Sequence, residues 1–263
     1  MNLKNKLVLI TGASSGIGDA CAELFAQAGA SLVLVARRRK RLEVLQQRLK
    51  ERHNTESLVL ASDVSRVGAV EPAFQALPPK WQAVDILINN AGLVKGMEPE
   101  WAISAADVDT MIDTNIKGLL TMTRLCIPGM LERGHGHVIN LGSVAGREAY
   151  PGGSVYSATK FAVRALSRGL KMDLLGTPIR VTSIDPGMVE TEFSVVRFGG
   201  DQTKAKEVYA GMTPLAADDI ADAALYAATR PPHVNISELF IMPTDQAAAR
   251  MVHRKGSATG GRK

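Results

Sequence analysis

The chain has 263 residues, of which 46% are hydrophobic and 22% charged, and this ordinary globular composition excludes a disordered or fibrous protein. No apolar run approaches the roughly 18 residues of a membrane span, and the N-terminus shows no signal-peptide pattern, so we expect a cytoplasmic protein without a membrane partner. The net charge of +5 fits an anionic ligand and leaves a nucleic-acid partner open.

Short apolar runs bounded by turn residues alternate with segments of helical periodicity along the chain. The runs predict seven buried strands at residues 6–11, 31–36, 57–61, 84–89, 137–142, 180–184 and 238–241. The periodic segments predict helices at residues 17–28, 39–52, 66–77, 105–133, 155–175 and 217–228. Because such alternation is typical of a parallel sheet covered on both faces, we predict an α/β fold. No linker interrupts it, and we expect one domain over residues 1–250.

A glycine-rich turn, Thr-Gly-Ala-Ser-Ser-Gly-Ile-Gly at residues 11–18, joins the first predicted strand to the first predicted helix. Gly12 allows the tight turn, Gly16 lets the backbone approach a pyrophosphate, and Gly18 permits close helix packing. The helix N-terminus then offers N–H groups and a positive dipole to the anion. Such a turn can also be purely structural, but its place after the first strand favours a dinucleotide. The predicted contacts are Gly12, Ser14, Ser15, Gly16, Ile17 and Gly18.

The residues after the second predicted strand discriminate between the two nicotinamide cofactors. An NAD-selective site needs a carboxylate there for the ribose 2′-hydroxyl, whereas this chain has Arg-Arg-Arg-Lys-Arg at residues 37–41. Arg37 and Arg38 can bind a 2′-phosphate through forked, charge-assisted hydrogen bonds, so we predict NADP. The next three basic residues are typical of a solvated helix start. Nucleic acid is the weaker alternative, because the cluster lies where a cofactor phosphate is expected.

Tyr156 and Lys160 lie four residues apart in a predicted helix, and this spacing places both side chains on one helix face. An ammonium beside a phenol favours the phenolate, so we expect Lys160 to lower the Tyr156 pKa from about 10. A tyrosine tuned in this way can move a proton to or from a carbinol or carbonyl oxygen. Ser143 lies thirteen residues before Tyr156, at the end of a predicted strand.

Two further segments lie outside the strand and helix pattern. Residues 186–213 are irregular, glycine-rich and longer than an ordinary connection, which favours a mobile substrate lid. The basic residues 251–263 predict a disordered tail.

The pair His135 and His137 resembles a metal site, but no carboxylate or cysteine cluster accompanies it at a suitable spacing. Cys21 and Cys126 lie far apart in predicted helices, where reduced core thiols are expected. We therefore predict no metal.

Together these features resemble the short-chain dehydrogenase/reductase family over essentially the whole chain. The markers stand in order as residues 11–18, Asp63, Asn-Asn-Ala-Gly at 89–92, Asn115, Ser143, Tyr156, Lys160 and Pro-Gly at 186–187. The resemblance implies a single doubly wound Rossmann-type domain with a seven-stranded parallel sheet. It also implies a homotetramer assembled through the helices at residues 105–133 and 155–175. Ala158, Ala162 and Ala165 would allow close helix packing there, although the same pattern suits a helix on a sheet.

The resemblance implies a catalytic role for four residues. Ser143 would hold and polarise the substrate oxygen, and Tyr156 would be the general acid/base. Lys160 would lower the Tyr156 pKa and bond the nicotinamide ribose, while Asn115 would anchor a water that links Lys160 to solvent.

The same resemblance implies the remaining cofactor contacts. Adenine would be contacted at Asp63 and Val64, and the adenosine ribose at Asn90, Ala91 and Gly92. The nicotinamide end would lie along Pro186, Gly187, Val189 and Thr191.

Within the family, residues 146–151, 186–198, 213–223 and 242–247 are similar to NADP-dependent 3-hydroxy acid dehydrogenases, the group that acts on serine, allo-threonine and related acids. A substrate carboxylate would require a cationic partner. Arg147, four residues after Ser143, and Arg197, in the predicted lid, are the two candidates. A surface or intersubunit position is an equal alternative for either.

Two other functions remain open from the sequence. One is an NADP-dependent ketone or aldehyde reductase in which a carboxylate has no role. The other is a cofactor-sensing regulator or nucleic-acid binder that uses the basic cluster. A pure sensor needs no proton relay, so the set of Ser143, Tyr156, Lys160 and Asn115 argues against it.

Overall fold

The computed structural model describes residues 2–255, and its core is one parallel sheet of seven strands in the order β3-β2-β1-β4-β5-β6-β7. The strands are β1 Leu7–Thr11, β2 Ser31–Ala36, β3 Ser57–Ala61, β4 Ile86–Asn89, β5 Gly136–Leu141, β6 Ile179–Pro186 and β7 Glu238–Ile241. The predicted seven-stranded Rossmann-type sheet is therefore confirmed.

Helices cover both faces of the sheet. They are α1 Gly16–Gln27, α2 Arg39–His53, α3 Val67–Gln75, α4 Pro79–Gln82, α5 Ala105–Ile112, α6 Leu119–Arg133, α7 Ser154–Asp173, α8 Glu192–Arg197, α9 Gln202–Glu207 and α10 Ala217–Ala228. None of the described helices is long and apolar enough to cross a membrane.

The apolar strands bury side chains on both faces, which is why they show no alternation in sequence. In β2, Leu32 and Leu34 join the core beneath α1, α2 and α10, whereas Val33 and Val35 join the core beneath α3, α6 and α7. Cys21 and Cys126 lie buried as free thiols in these two cores, as predicted.

The strand order reverses where β1 has β2 on one side and β4 on the other. At such a switch point the loops after neighbouring strands diverge and open a crevice at the carboxyl ends of the strands. Thr11 ends β1 there, and its Oγ1 accepts hydrogen bonds from the backbone N–H groups of Asn90 and Ala91 (3.0 and 2.9 Å). The crevice is the candidate site.

Three predicted segments differ from the structure. The long helix predicted at residues 105–133 is divided into α5, a π-helical turn at Asp113–Gly118 and α6. The segment at 186–213, predicted to be irregular, contains α8 and α9, both stabilised by side-chain N-caps (Thr191 and Asp201).

The predicted disordered tail differs in its first part. Backbone hydrogen bonds tie His253 to Asp245 (2.7 Å) and Lys255 to Gly211 (2.7 Å), so this part packs beside the segment that carries α8 and α9. The rest of the predicted tail, 256–263, lies outside the described residues.

Candidate active site

The glycine-rich turn has the close approaches that its sequence predicts. Gly12 and Gly16 adopt positive φ angles of 68° and 56°, which other residues rarely adopt. A Cβ on Gly18 would collide with the backbone oxygen of Gly12, so only glycine lets α1 begin this close to β1. Asn90 closes the turn by donating from Nδ2 to the Thr11 oxygen (2.8 Å). The turn therefore presents bare backbone and the N-terminus of α1 to the crevice, which fits a pyrophosphate.

The basic cluster after β2 lies beside this turn. Arg38 donates to the hydroxyls of Ser14 (3.0 Å) and Ser15 (2.7 Å), and Arg37 lies 4.0 Å from an Asp63 carboxylate oxygen. Both arginines line the crevice, where their guanidinium groups suit a 2′-phosphate at the edge of the turn.

The crevice gathers nearly all of the predicted cofactor contacts. Those that line it are Gly12, Ser14, Ser15, Gly16, Ile17, Arg37, Arg38, Asp63, Val64, Asn90, Ala91, Gly92, Tyr156, Lys160, Pro186, Gly187, Val189 and Thr191. Gly18 is buried behind the turn and acts through helix packing, as its predicted role requires. The same crevice continues to Ser143 and to Phe193 and Val196 of α8.

Tyr156 and Lys160 project from one face of α7 beneath this crevice, and both are buried. Lys160 Nζ donates to the Leu141 oxygen (2.7 Å) and lies 5.9 Å from the centre of the Tyr156 ring. Ser143 follows β5, and its Oγ caps the short 3₁₀ turn Val144–Gly146 by accepting from Ala145 N–H (3.1 Å). The structure thus brings the three predicted side chains together at the ends of β5 and α7.

The predicted lowering of the Tyr156 pKa by Lys160 is wrong for this structure. Burial raises the pKa of Tyr156, as does Tyr150, whereas a hydrogen bond from Ser143 and the positive charge of Arg197 act to lower it. Burial also lowers the pKa of Lys160 to about 8, although the charge of Asp185 opposes that change. Spacing alone could not reveal this result, because it depends on how completely the fold removes both groups from water.

Asn115 lies in the π-helical turn, buried behind Lys160 and outside the lining of the crevice. Its Oδ1 accepts from Leu93 N–H (2.9 Å), and its Nδ2 donates to the Leu93 oxygen (2.9 Å) and to Thr159 Oγ1 (3.0 Å). A Cβ built on Gly92 would lie 3.4 Å from Asn115 Oδ1 and 3.6 Å from Lys160 Nζ. Asn115 therefore fixes the wall beside Lys160, and its water-anchoring role stays a prediction.

Arg147 does not reach the crevice, which overturns it as a substrate contact. Its Nε and Nη2 donate to Asp185 Oδ2 (3.0 and 2.7 Å), Nη2 also donates to Glu238, and the guanidinium stacks 4.7 Å from the Phe240 ring centre. Asp185 is only 1% exposed, so its charge requires this partner. The guanidinium thus forms structural ion pairs with two carboxylates.

Arg197, the last residue of α8, is also outside the lining of the crevice, but its neighbour Val196 lines it and its own contacts differ from those of Arg147. Its Nε donates to the Gly96 oxygen (3.2 Å), and its guanidinium lies 5.5 Å from the Tyr150 ring centre. Its Nη2 is buried, and no hydrogen-bond partner for it exists within residues 2–255. The positive charge of Arg197 acts to lower the Tyr156 pKa, but less strongly than burial raises it.

Two residues of α8 belong to the site although their roles were not predicted. Phe193 packs against Tyr156, with ring centres 5.7 Å apart, and Glu192 pairs with Arg38 and Arg41. Both lie in a segment whose sequence is similar to that of the 3-hydroxy acid dehydrogenases. Their roles could not be predicted, because their contacts are with residues distant in the chain. No group of three or more potential metal ligands occurs in the part of the chain that the structure describes.

Comparisons with known proteins bear directly on this geometry. A family model for short chain dehydrogenases matches residues 6–199. NADP-dependent 3-hydroxy acid dehydrogenase YdfG of Salmonella typhi is 47% identical over 250 residues, covering 94% of this chain and 99% of the relative. Sulfoacetaldehyde reductase 2 of Chromohalobacter salexigens is 47% identical over 242 residues, covering 92% of this chain and 95% of the relative.

A solved structure of the closed form of serine dehydrogenase complexed with NADP+ is also similar. It superposes with a TM-score of 0.87 at 47% identity, covering 95% of this chain and 100% of that one.

Proposed function

The chain belongs to the short-chain dehydrogenase family, and on this basis we propose that it is an NADP-dependent oxidoreductase that acts on 3-hydroxy acids such as serine or allo-threonine. Three features support the proposal. They are the glycine turn, the arginines beside it, and the cluster of Ser143, Tyr156 and Lys160. The cofactor is NADP because Arg37 and Arg38 occupy the positions that meet a 2′-phosphate.

When bound, NADP supplies the hydride acceptor in oxidation and the hydride donor in reduction. In oxidation, the Tyr156 phenolate takes the hydroxyl proton while the carbinol carbon gives up its hydride. Ser143 holds the substrate oxygen by a hydrogen bond, and Lys160 and Asn115 return the proton toward solvent. Because burial raises the Tyr156 pKa, the phenolate requires cationic neighbours, and Arg197 is one of them.

The observation that carries the acid specificity is the buried, unpartnered Nη2 of Arg197. A buried guanidinium N–H without an acceptor is costly, and a substrate carboxylate would satisfy it with a charge-assisted hydrogen bond. Arg197 shares α8 with Phe193, which packs on Tyr156, so a carboxylate held there would belong to a substrate whose hydroxyl faces Tyr156.

Replacement of Arg197 tests this assignment. Hydrogen bonds to charged groups contribute about 1.5–3 kcal/mol, so Arg197→Ala should raise KM for the free acid about 10- to 100-fold. NADP-dependent turnover of the matching methyl ester should change much less, since the ester has no charge for Arg197 to meet. Tyr156→Phe serves as the inactive control in steady-state assays. An equal loss for acid and ester would show that Arg197 only supports the lid.

A sulfonate-bearing aldehyde is the second candidate substrate, and the enzyme would then catalyse reduction of its carbonyl group. Arg197 does not distinguish a carboxylate from a sulfonate, and one relative that is 47% identical is named sulfoacetaldehyde reductase 2. Reduction of sulfoacetaldehyde with NADPH, beside oxidation of serine with NADP, separates the two. Turnover of uncharged ketones alone would instead favour a general reductase.

We further propose that the chain works as a cytoplasmic homotetramer without a nucleic-acid partner. The cysteines are free and buried, as suits a reducing compartment. Arg38 and Arg41 both pair with Glu192, and Arg38 also bonds the glycine turn, so this part of the basic cluster faces the cofactor crevice. Ala158 and Ala165 of α7 are exposed, so this face of the helix is directed away from the sheet and suits a second subunit.

A further inference from the structure

The first residue of α8, which we call the lid helix, forms ion pairs with the basic cluster after β2. Glu192 begins α8, and its two carboxylate oxygens accept hydrogen bonds from Arg41 Nη1 (2.6 and 2.8 Å) and from Arg38 Nη1 (3.0 Å). Glu192 is about 150 positions from Arg38 and Arg41 in the chain. Their side chains are 42–49% exposed, so the contact is an ion-pair network at the rim of the crevice.

The arginines of this network differ in their other contacts. Arg38 also reaches the hydroxyls of Ser14 and Ser15, so it belongs to the glycine turn as well as to the lid. Arg41 instead donates both of its side-chain hydrogen bonds to Glu192. A 2′-phosphate carries a charge of about −1.5 to −2 and draws on Arg37 and Arg38, which leaves Arg41 to hold Glu192.

The same helix also contacts Tyr156, the proposed general acid/base. Phe193, next to Glu192, packs on the Tyr156 ring, and Arg197, at the far end of α8, donates to the Gly96 oxygen. Six helical residues span only about 9 Å, so displacement of one end of α8 moves the other. The position of Arg197 therefore depends on how firmly Glu192 is held.

We propose that Glu192 and Arg41 form a latch that holds the substrate-recognising helix over the bound cofactor, and that both act as positioning residues. The inference rests on the proposed function of Arg197 as the carboxylate partner. Arg41 lies outside the lining of the crevice, and Glu192 lies at its rim. Their ion pair keeps Arg197 and Phe193 in place when Arg38 binds the 2′-phosphate.

The chain offers matched controls for both latch residues. Glu190 is a second carboxylate of the same segment, but it forms no ion pair among the described residues. Arg39 lies two positions before Arg41 and pairs instead with Glu43 of its own helix (3.8 Å). Glu190→Gln and Arg39→Gln therefore remove the same charges from the same surface without opening the latch.

The first measurement is amide hydrogen exchange of residues 190–212 in the NADP complex, which requires no substrate. Glu192→Gln and Arg41→Gln should each speed exchange in this segment, and the double variant should add little to either. The two control variants should match the wild type. Exchange in the central strands should be equal in all proteins, which identifies a local change rather than general unfolding.

The second measurement is steady-state kinetics with the acid. Exposed ion pairs are individually weak, so Glu192→Gln should raise KM for the acid about 3- to 10-fold, with kcat and the Kd of NADP changed much less. Unaltered exchange, or a loss of NADP affinity equal to the rise in KM, would overturn the latch. Faster exchange without any turnover of acids would leave the latch in place and reject the proposed substrate.

Discussion

Arg147 and Arg197 are the same type of residue, and their surroundings alone decide which can bind a substrate. Arg147 is held by two carboxylates, one of them in the buried end of β6, so its charge is neutralised inside the fold. Arg197 meets a backbone oxygen and aromatic rings, and these leave its charge uncompensated. At the scale of residues, the proposed anion site therefore depends on the absence of a hydrogen-bond partner for Arg197 Nη2 within residues 2–255.

Replacement of Arg147 by alanine should affect stability rather than catalysis. Asp185 would lose both hydrogen bonds from its guanidinium partner, and breaking a buried pair costs about 3–5 kcal/mol. We expect a lower midpoint of chemical denaturation at fixed protein concentration, with KM for the acid unchanged. Arg168→Ala is the control, because Arg168 is 63% exposed and lies 3.9 Å from the same Glu238. A raised KM at unchanged stability would return Arg147 to the substrate site.

At the scale of elements, the catalytic geometry depends on how closely the 3₁₀ turn after β5 packs against α7. Gly146 ends that turn, and a Cβ on it would lie 2.6 Å from the backbone oxygen of Lys160. Backbone cannot move aside as a flexible side chain can. The glycine therefore sets the separation between the segment that carries Ser143 and the helix that carries Tyr156 and Lys160.

Gly146→Ala should displace these two segments from each other. A misplacement of about 1 Å can cost roughly 100-fold in rate, so we expect kcat to fall about 10- to 100-fold while the Kd of NADP changes little. Gly68→Ala in α3 is the matched control, because no atom lies within 4 Å of its added methyl. Stopped-flow measurement of hydride transfer would isolate the chemical step. An unchanged rate would show that α7 adjusts without disturbing the hydroxyl groups.

Strands and long helices were predictable because their signal is local. An apolar run bounded by turn residues identifies a buried strand wherever it lies, and every strand of the sheet overlaps its predicted range. The π-helical turn gave no such signal, because it is stabilised by Asn115 bonding Leu93 and Thr159, which are distant in sequence. The helices α8 and α9 have six residues each, too few for a periodicity to be recognised.

The site was predictable to a different degree in its two halves. The cofactor half depends on backbone shape, and glycines such as Gly12 record that shape in the sequence. The substrate half depends on which charges meet across the fold. Positions in the chain could not predict that Arg147 would be ion-paired while Arg197, within the described part of the chain, is not. They also could not predict the pairing of Arg41 with Glu192.

At the scale of the whole molecule, two helices keep an apolar face that the single chain does not cover. On α7, Phe161 and Met172 are 42% and 71% exposed, and Leu120 and Leu131 of α6 are 37% and 45% exposed. Ala158 and Ala165 lie about one turn before and after Phe161 on the same face of α7 and would allow a second helix to approach closely. Burial of such a face between subunits would remove apolar area from water, which favours association.

The proposed homotetramer predicts that this face can be disabled by one charge. Phe161→Glu would place a carboxylate in the contact and should shift the mass of the particle from four chains toward two or one, because an unpaired charge is costly to bury. Val44→Glu is the control, since Val44 is 67% exposed on α2, outside the proposed interface, and its replacement should leave the mass unchanged. Light scattering coupled to size-exclusion chromatography measures both, and circular dichroism checks that the fold is retained. A wild-type mass of one chain would reject the tetramer, and unaltered assembly of Phe161→Glu would place the contact on another surface.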